Sequence, residues 1–189
     1  MEEKLLSGED AGETQQQPAT QAPEKPAGAP SQEKEFDPQQ MIEGSTYLII
    51  EESPQASIKL YTHKLGDGYE GLLISRLNPK QLARQHEGID GSLYWLTTVK
   101  ASQQPSVSGL QELSILISNF IDKNKKTVIL LDGLEYLVSN NDYSIVLRLI
   151  QQVRDKVSTG DSILLIPVNP SALNEKELTL LKRECSRLK

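Results

Sequence analysis

The amino-acid sequence predicts an α/β fold, a three-layer sandwich in which a central, mostly parallel five-stranded sheet has helices on both faces. Five short apolar runs lack the polar alternation of half-exposed strands, which indicates strands that are buried on both faces. Segments with helical spacing separate these runs, and such alternation of strand and helix is typical of a parallel sheet. The runs comprise residues 47–50, 72–74, 93–96, 128–131 and 163–166.

The helices between the strands are predicted from caps and from apolar spacing. Short helices are expected over residues 55–63 and 79–85, the second with Asn78 as its N-cap and Pro79 in its first turn. Longer helices are expected before the fourth and fifth strands, where apolar residues recur at helical spacing. These residues are Leu110, Leu113, Ile117 and Phe120 in the first helix, and Val146, Leu149, Ile150, Val153 and Val157 in the second.

A final helix is predicted after the fifth strand. Asn174 can cap its start, and Glu177 stands three residues later, as in a capping box. An apolar stripe follows, which favours packing on the domain's own sheet over a coiled coil, because two heptads are too few for the latter. The stripe consists of Leu178, Leu181, Cys185 and Leu188.

The acidity of the chain is confined to its first residues. The whole chain has a net charge of −6, and residues 1–40 hold nine acidic and three basic residues, so that this segment accounts for the full −6. It also contains five of the 10 prolines and a single aromatic residue, Phe36. Such a composition cannot bury enough apolar surface to offset the entropy of ordering. We therefore predict a disordered, acidic, Pro/Gln-rich tail over residues 1–42 and one α/β domain over residues 43–189.

Composition also excludes several classes of function. One cysteine and two histidines, without metal-ligand spacing, predict no metal site and no cofactor. The neutral domain lacks the clustered Lys and Arg that bind a nucleic acid backbone directly. The longest apolar runs are far shorter than the ~20 residues of a membrane span. These features predict a cytoplasmic protein whose partners are other proteins, with a homodimer as one such partnership.

The loop after the first strand argues against nucleotide binding. In an open parallel sheet, ligands bind at the carboxyl ends of the strands. A phosphate-binding loop would need glycines and a lysine there, but the segment over residues 51–58 has neither. It begins with Glu51 and Glu52, whose charges would repel phosphate.

Polar residues at the ends of the other strands are candidates for a binding surface. Arg76 follows the second strand, where it can bind an anionic group or, as the favoured alternative, pair with Glu51 or Asp132. Asp132 ends the fourth strand, a position that holds magnesium in Walker B motifs or caps the following turn. Without a phosphate loop, the structural role is favoured. The candidate binding residues are Arg76, Asp132, Glu135, Tyr136 and Asn141; the polar break that contains Asn141 can be a recognition surface or simply a turn.

The segment from Tyr47 to Leu188 resembles the archaeal domain-of-unknown-function 835 family, whose members often lie at the end of sensory or regulatory chains. The most specific match is the Leu131–Leu137 segment, LDGLEYL, followed by Asn141-Asp142-Tyr143. Further matches are residues 47–51, 71–76, 95–97 and 166–170. The resemblance covers the predicted domain and excludes the tail.

More remotely, the layout resembles the cores of RecA-type ATPases, particularly the clock-ATPase and recombinase group. Carried over by position, the phosphate loop corresponds to residues 51–58, which lack its glycines and lysine, and the catalytic glutamates fall near Arg76 and Leu77. Only Asp132 matches. The resemblance thus implies a degenerate RecA-like scaffold without ATPase activity.

Three functions follow as hypotheses. The leading one is a non-catalytic signalling or protein-interaction module with an acidic flexible arm. The first alternative is a divergent magnesium- or nucleotide-dependent enzyme that uses Glu51, Asp132 and Glu135, which requires these carboxylates to converge. The second is an adaptor for nucleic-acid machinery that does not itself touch nucleic acid.

Overall fold

Six parallel strands form one sheet in the computed structural model, which describes residues 36–86, 88–99 and 103–188. The strands lie in the order β1-β6-β5-β2-β3-β4, and every described pairing is parallel. They are β1 (Ser45–Ile50), β2 (Glu70–Ser75), β3 (Ser92–Leu96), β4 (Ser106–Val107), β5 (Lys126–Leu131) and β6 (Asp161–Val168). All carboxyl ends of the strands therefore face the same edge of the sheet.

Six α-helices connect or follow the strands in the described part of the chain. They are α1 (Gln55–Gly66), α2 (Pro79–Gln85), α3 (Leu110–Lys123), α4 (Leu134–Asn140), α5 (Tyr143–Val157) and α6 (Glu175–Glu184). Two short 3₁₀ helices cover Pro38–Gln40 and Pro170–Ala172. The predicted caps are present: the Asn78 side chain accepts a hydrogen bond from the Lys80 N–H, and Asn174 forms a capping box with Glu177.

The predicted α/β class and the parallel sheet are confirmed, but the predicted number of five strands is wrong. The sixth strand, β4, has two residues, which pair with Trp95 and Leu96 at the edge of the sheet. Two residues are too few to produce a recognisable apolar run. Pairing with β3 alone makes this segment a strand.

The sheet separates two apolar cores, as expected for strands buried on both faces. Alternate residues point to opposite faces, so that Leu72 and Ile74 belong to one core and Leu73 to the other. The first core packs against α3, α4, α5 and α6, and the second packs against α1 and α2. This arrangement is the predicted three-layer sandwich.

The final helix is shorter than its apolar stripe. Leu181 is fully buried and Cys185 is partly buried against the first core, but α6 ends at Glu184. Leu188 lies beyond the helix and packs against the second core instead. The interpretation of Leu188 as a helical position is therefore wrong, because the extended backbone at Cys185 redirects the chain.

Most of the predicted tail, residues 1–35, lies outside the described residues. Of the remainder, Phe36 packs against the second core and Met41 is buried in it. Within the part of the chain that the structure describes, no helix combines the length and apolar character needed to cross a membrane.

Candidate functional site

A cleft of about 420 Å³ opens at the carboxyl ends of β1, β2, β5 and β6. Because all strands are parallel, the loops that follow them meet at this edge. Four carboxylates, one guanidinium and one phenol lie on its wall. The cleft is lined by Glu51, Glu52, Ser53, Pro54, Arg76, Asp132, Gly133, Glu135, Tyr136, Pro167, Val168, Asn169 and Ala172.

Asp132 is held at the end of β5 by the neighbouring strand β2. Its backbone N–H donates to the carbonyl of Ile74 at 2.8 Å, which extends the sheet by one residue. Its carboxylate accepts a hydrogen bond from the Ser75 hydroxyl at 2.5 Å. Burial raises the pKa of Asp132 above its ordinary value, the Ser75 hydroxyl opposes this, and the charge of Glu135 raises it further. The expected cap is therefore replaced by a bond between strands: among the described residues, the Asp132 carboxylate accepts from the Ser75 hydroxyl and from no backbone N–H of the turn, and the N-cap of α4 is Gly133.

Gly133 allows the chain to turn directly after Asp132. Its φ is +129°, a conformation that residues with a side chain rarely adopt. A Cβ atom here would lie 2.9 Å from Leu96 Cδ2 and 3.0 Å from Arg76 Cγ. The glycine therefore permits the close approach of the Arg76 stem to the start of α4.

Glu51 supplies the N-terminal cap of α1 from the end of β1. Its carboxylate accepts hydrogen bonds from the backbone N–H groups of Ala56 at 2.8 Å and Ser57 at 3.2 Å, and from the Ser57 hydroxyl. Such bonds satisfy amide groups that have no partner within the helix. Burial raises the pKa of Glu51, the bonds from Ser57 and Ala56 lower it, and the charge of Asp132 raises it.

Glu135 joins α4 to the loop after β6. Its carboxylate accepts a hydrogen bond from the backbone N–H of Asn169 at 2.7 Å. The three carboxylates whose convergence the enzyme alternative requires thus line one cleft, but each is bonded to a different element. Across the described residues, no group of three or more His, Cys, Asp or Glu side chains is arranged to hold a metal ion.

Arg76 does not form the predicted ion pair with Glu51 or Asp132. Its guanidinium lies over the ring of Tyr136, 3.8 Å from the ring centroid, and Nη1 donates to the carbonyl of Leu96. No ion pair of Arg76 occurs among the described residues. The prediction of an ion pair is wrong because the flat guanidinium stacks on an aromatic ring that the sequence places 60 residues away.

Four of the five predicted site residues line the cleft, and Asn141 does not. The Asn141 side chain donates to the carbonyl of Leu137 at 2.9 Å and follows the last residue of α4. The polar break around Asn141 is therefore a helix end in this structure.

Three further residues of the site were not predicted from the sequence. Ser75 holds Asp132, Asn169 holds Glu135, and Glu52 is exposed on the rim. Ser75 directly follows the apolar run 72–74, Glu52 stands two residues after the run 47–50, and Asn169 directly follows the end of β6. A position just after a strand was the signal that could have identified them.

The model of a family described as "Protein of unknown function (DUF835)" matches residues 41–185. The chain belongs to the DUF835 family. The match includes all four predicted residues that line the cleft and ends at Cys185, directly after α6. The predicted family is thereby confirmed.

A solved structure from Pyrococcus horikoshii OT3 is similar to this DUF835 protein in fold. The TM-score is 0.53 with 13% sequence identity, and the alignment covers 80% of this chain and 85% of the other. At such low identity the similarity concerns the fold alone. No curated protein matches the chain.

Proposed function

We propose that this DUF835 protein is a non-catalytic protein-interaction or signalling module, built on a degenerate RecA-like scaffold, and that its partner binds at the cleft. The observation that carries the proposal is that the loop after β1 has carboxylates where a phosphate-binding loop has glycines and a lysine. Where a phosphate would need backbone amides and a lysine, Glu51 caps α1 with its carboxylate and Glu52 is exposed. The first turn of α1 is thereby already satisfied by an anion that belongs to the protein.

The position of the cleft supports the RecA-like part of the proposal. RecA-type chemistry would be carried by the loops after β1, β2 and β5, and all three border this cleft. Asp132 occupies the Walker B position, but its carboxylate binds the Ser75 hydroxyl rather than facing a set of metal ligands. The scaffold therefore has an open cleft at the strand ends but no phosphate-binding loop, and such a cleft can bind the surface of another protein.

The electrostatics of the cleft favour a partner with basic side chains. Four acidic residues line it, whereas the one basic group among its described lining residues, Arg76, contacts Tyr136 and Leu96. The acidic residues are Glu51, Glu52, Asp132 and Glu135. Positive charge on the partner would complement this surface and accelerate association. Nucleic acid, with its phosphates, would be repelled.

Titration calorimetry with ATP or GTP and magnesium tests the absence of nucleotide chemistry. We expect no saturable heat at micromolar concentrations. Saturable binding that disappears in Asp132→Ala would overturn the proposal. It would favour the divergent enzyme instead, for which the raised pKa values of Glu51 and Asp132 in one cleft are the supporting observation.

Partner capture with matched variants tests the cleft itself. Immobilised wild type, Glu52→Lys and Gln152→Ala would be compared, because Glu52 lies on the rim of the cleft and Gln152 is exposed on α5. We expect proteins that are retained by wild type and Gln152→Ala and lost from Glu52→Lys. Equal retention on all three would contradict the cleft as the partner surface. Retained components of nucleic-acid machinery would favour the adaptor hypothesis, and retained copies of this chain a homodimer.

A further inference from the structure

The outer edge of β1 is covered by the residues that follow α6. β1 is the terminal strand of the sheet beside β6, and Tyr47 forms a parallel bridge with Ser186 on its other side. The Ser186 N–H donates to the carbonyl of Thr46 at 2.7 Å. Residues 185–188, which we call the strap, therefore lie along the outer edge of β1 and are joined to it by a single bridge at Ser186.

The strap crosses from one face of the sheet to the other. Cys185, at its start, packs against the first core, and Leu188, at its end, packs against the second core. It meets Leu48 and Ile50 across a cavity of about 250 Å³, which Phe36 also lines. The strap is thus held by one bridge and one apolar anchor on each face.

β1 is a strand that needs such cover. Residues Ser45–Ile50 carry no charge and no proline, and most of their side chains are apolar. Uncharged edge strands pair readily with other strands, because their N–H and C=O groups form a ready template. The opposite edge of the described sheet is formed by β4, which has only two residues and offers little backbone for pairing.

We propose that the strap blocks the outer edge of β1 against pairing with another strand. Its release would allow β1 to pair with β1 of a second copy of this chain. Two identical strands can pair antiparallel about a twofold axis, which gives a closed dimer. The uncharged sequence of β1 places no like charges opposite each other in this pairing. The proposal concerns the edge of the sheet and is independent of the cleft.

Two variants that alter only the strap test this proposal. Ser186→Pro removes the N–H that binds Thr46, and the extended backbone of Cys185 is compatible with a following proline. Leu188→Asp removes the apolar anchor on the second face and leaves the bridge intact. The matched controls are Ser186→Ala, which keeps the N–H, and Arg187→Ala, an exposed position in the same segment.

The measurement is the molar mass by light scattering over a concentration series, with circular dichroism to verify the fold. We expect a monomer for wild type and both controls, and a twofold increase of mass with concentration for each strap variant that stays folded. Amide hydrogen exchange of the wild type provides a second measure, with slow exchange expected for the Ser186 N–H. Folded strap variants that stay monomeric, or a Ser186 amide that exchanges as fast as an exposed loop, would overturn the proposal.

Discussion

Asp132 shows how the burial of a single carboxylate makes stability depend on pH. Its carboxylate is held by Ser75 in a partly buried site beside Glu135, and burial raises its pKa. A group whose folded pKa is raised above its unfolded value makes the native state bind more protons between the two values. The free energy of unfolding therefore decreases as the pH rises through this range. The ionised Asp132 carboxylate therefore lowers the free energy of unfolding at neutral pH, and residues that lower stability in this way are common at functional positions.

We predict that Asp132→Asn stabilises the protein more at pH 7 than at pH 3.5. The amide keeps the shape and can still accept the Ser75 hydroxyl, but it carries no charge to be buried. Urea unfolding at both pH values, with the exposed Asp142→Asn as control, measures the effect. A variant that is equally or less stable than wild type at pH 7 would show that the ionised carboxylate contributes favourably.

Arg76 illustrates which residue-scale features could be predicted. Its position after an apolar run predicted that it lies at the carboxyl end of a strand, and in the structure it lines the cleft. Its partner could not be deduced, because nearby carboxylates and a distant aromatic ring compete for the same guanidinium. Only the tertiary fold, which brings the start of α4 beside the end of β2, places the guanidinium 3.8 Å from the centroid of the Tyr136 ring.

At the scale of elements, local chemistry determines where the helices begin. Pro79 follows the N-cap Asn78, and Asn174 and Glu177 satisfy each other's backbone N–H groups at 2.9 and 3.0 Å. These bonds connect neighbours in the sequence, and they were predictable for that reason. The end of α6 was not, because the bridge between Ser186 and Tyr47 draws the chain away from the helix.

Removal of the cap of α6 should be measurable. We expect Asn174→Ala to lower the free energy of unfolding by about 1 kcal/mol, because the Glu177 N–H loses its acceptor. Lys176→Ala, an exposed change in the first turn of the same helix, should alter it by less than about 0.5 kcal/mol. Equal effects of the two substitutions, measured by urea unfolding, would argue against a stabilising capping box.

At the scale of the whole molecule, one sheet separates two apolar cores, and each core packs against its own set of helices. Ile58 of α1 lies in the second core, and Ile150 of α5 lies in the first. We predict that Ile58→Val and Ile150→Val each cost about 0.5–1.5 kcal/mol. Their sum should equal the cost of the double variant within about 0.5 kcal/mol, because the sites share no partners.

A single cooperative transition in urea is expected for both variants and for the double variant, because the strands between the cores are shared. The control is the same titration on wild type. Two separate transitions would show that the two cores do not unfold as one cooperative unit. A double variant that loses much more unfolding free energy than the two single variants together would show that the two sites are not independent.

The sequence alone determined the class of fold, the five longer strands, the helices other than α4 and the family, because these depend on local periodicity and short motifs. It also placed Arg76, Asp132, Glu135 and Tyr136 at the strand ends that form the cleft. Only the tertiary structure decided the strand order, the two-residue β4, the Arg76–Tyr136 stacking and the strap on β1. Each of these joins segments that are separated in the chain, and such pairings are set by packing of the whole domain rather than by the residues on either side.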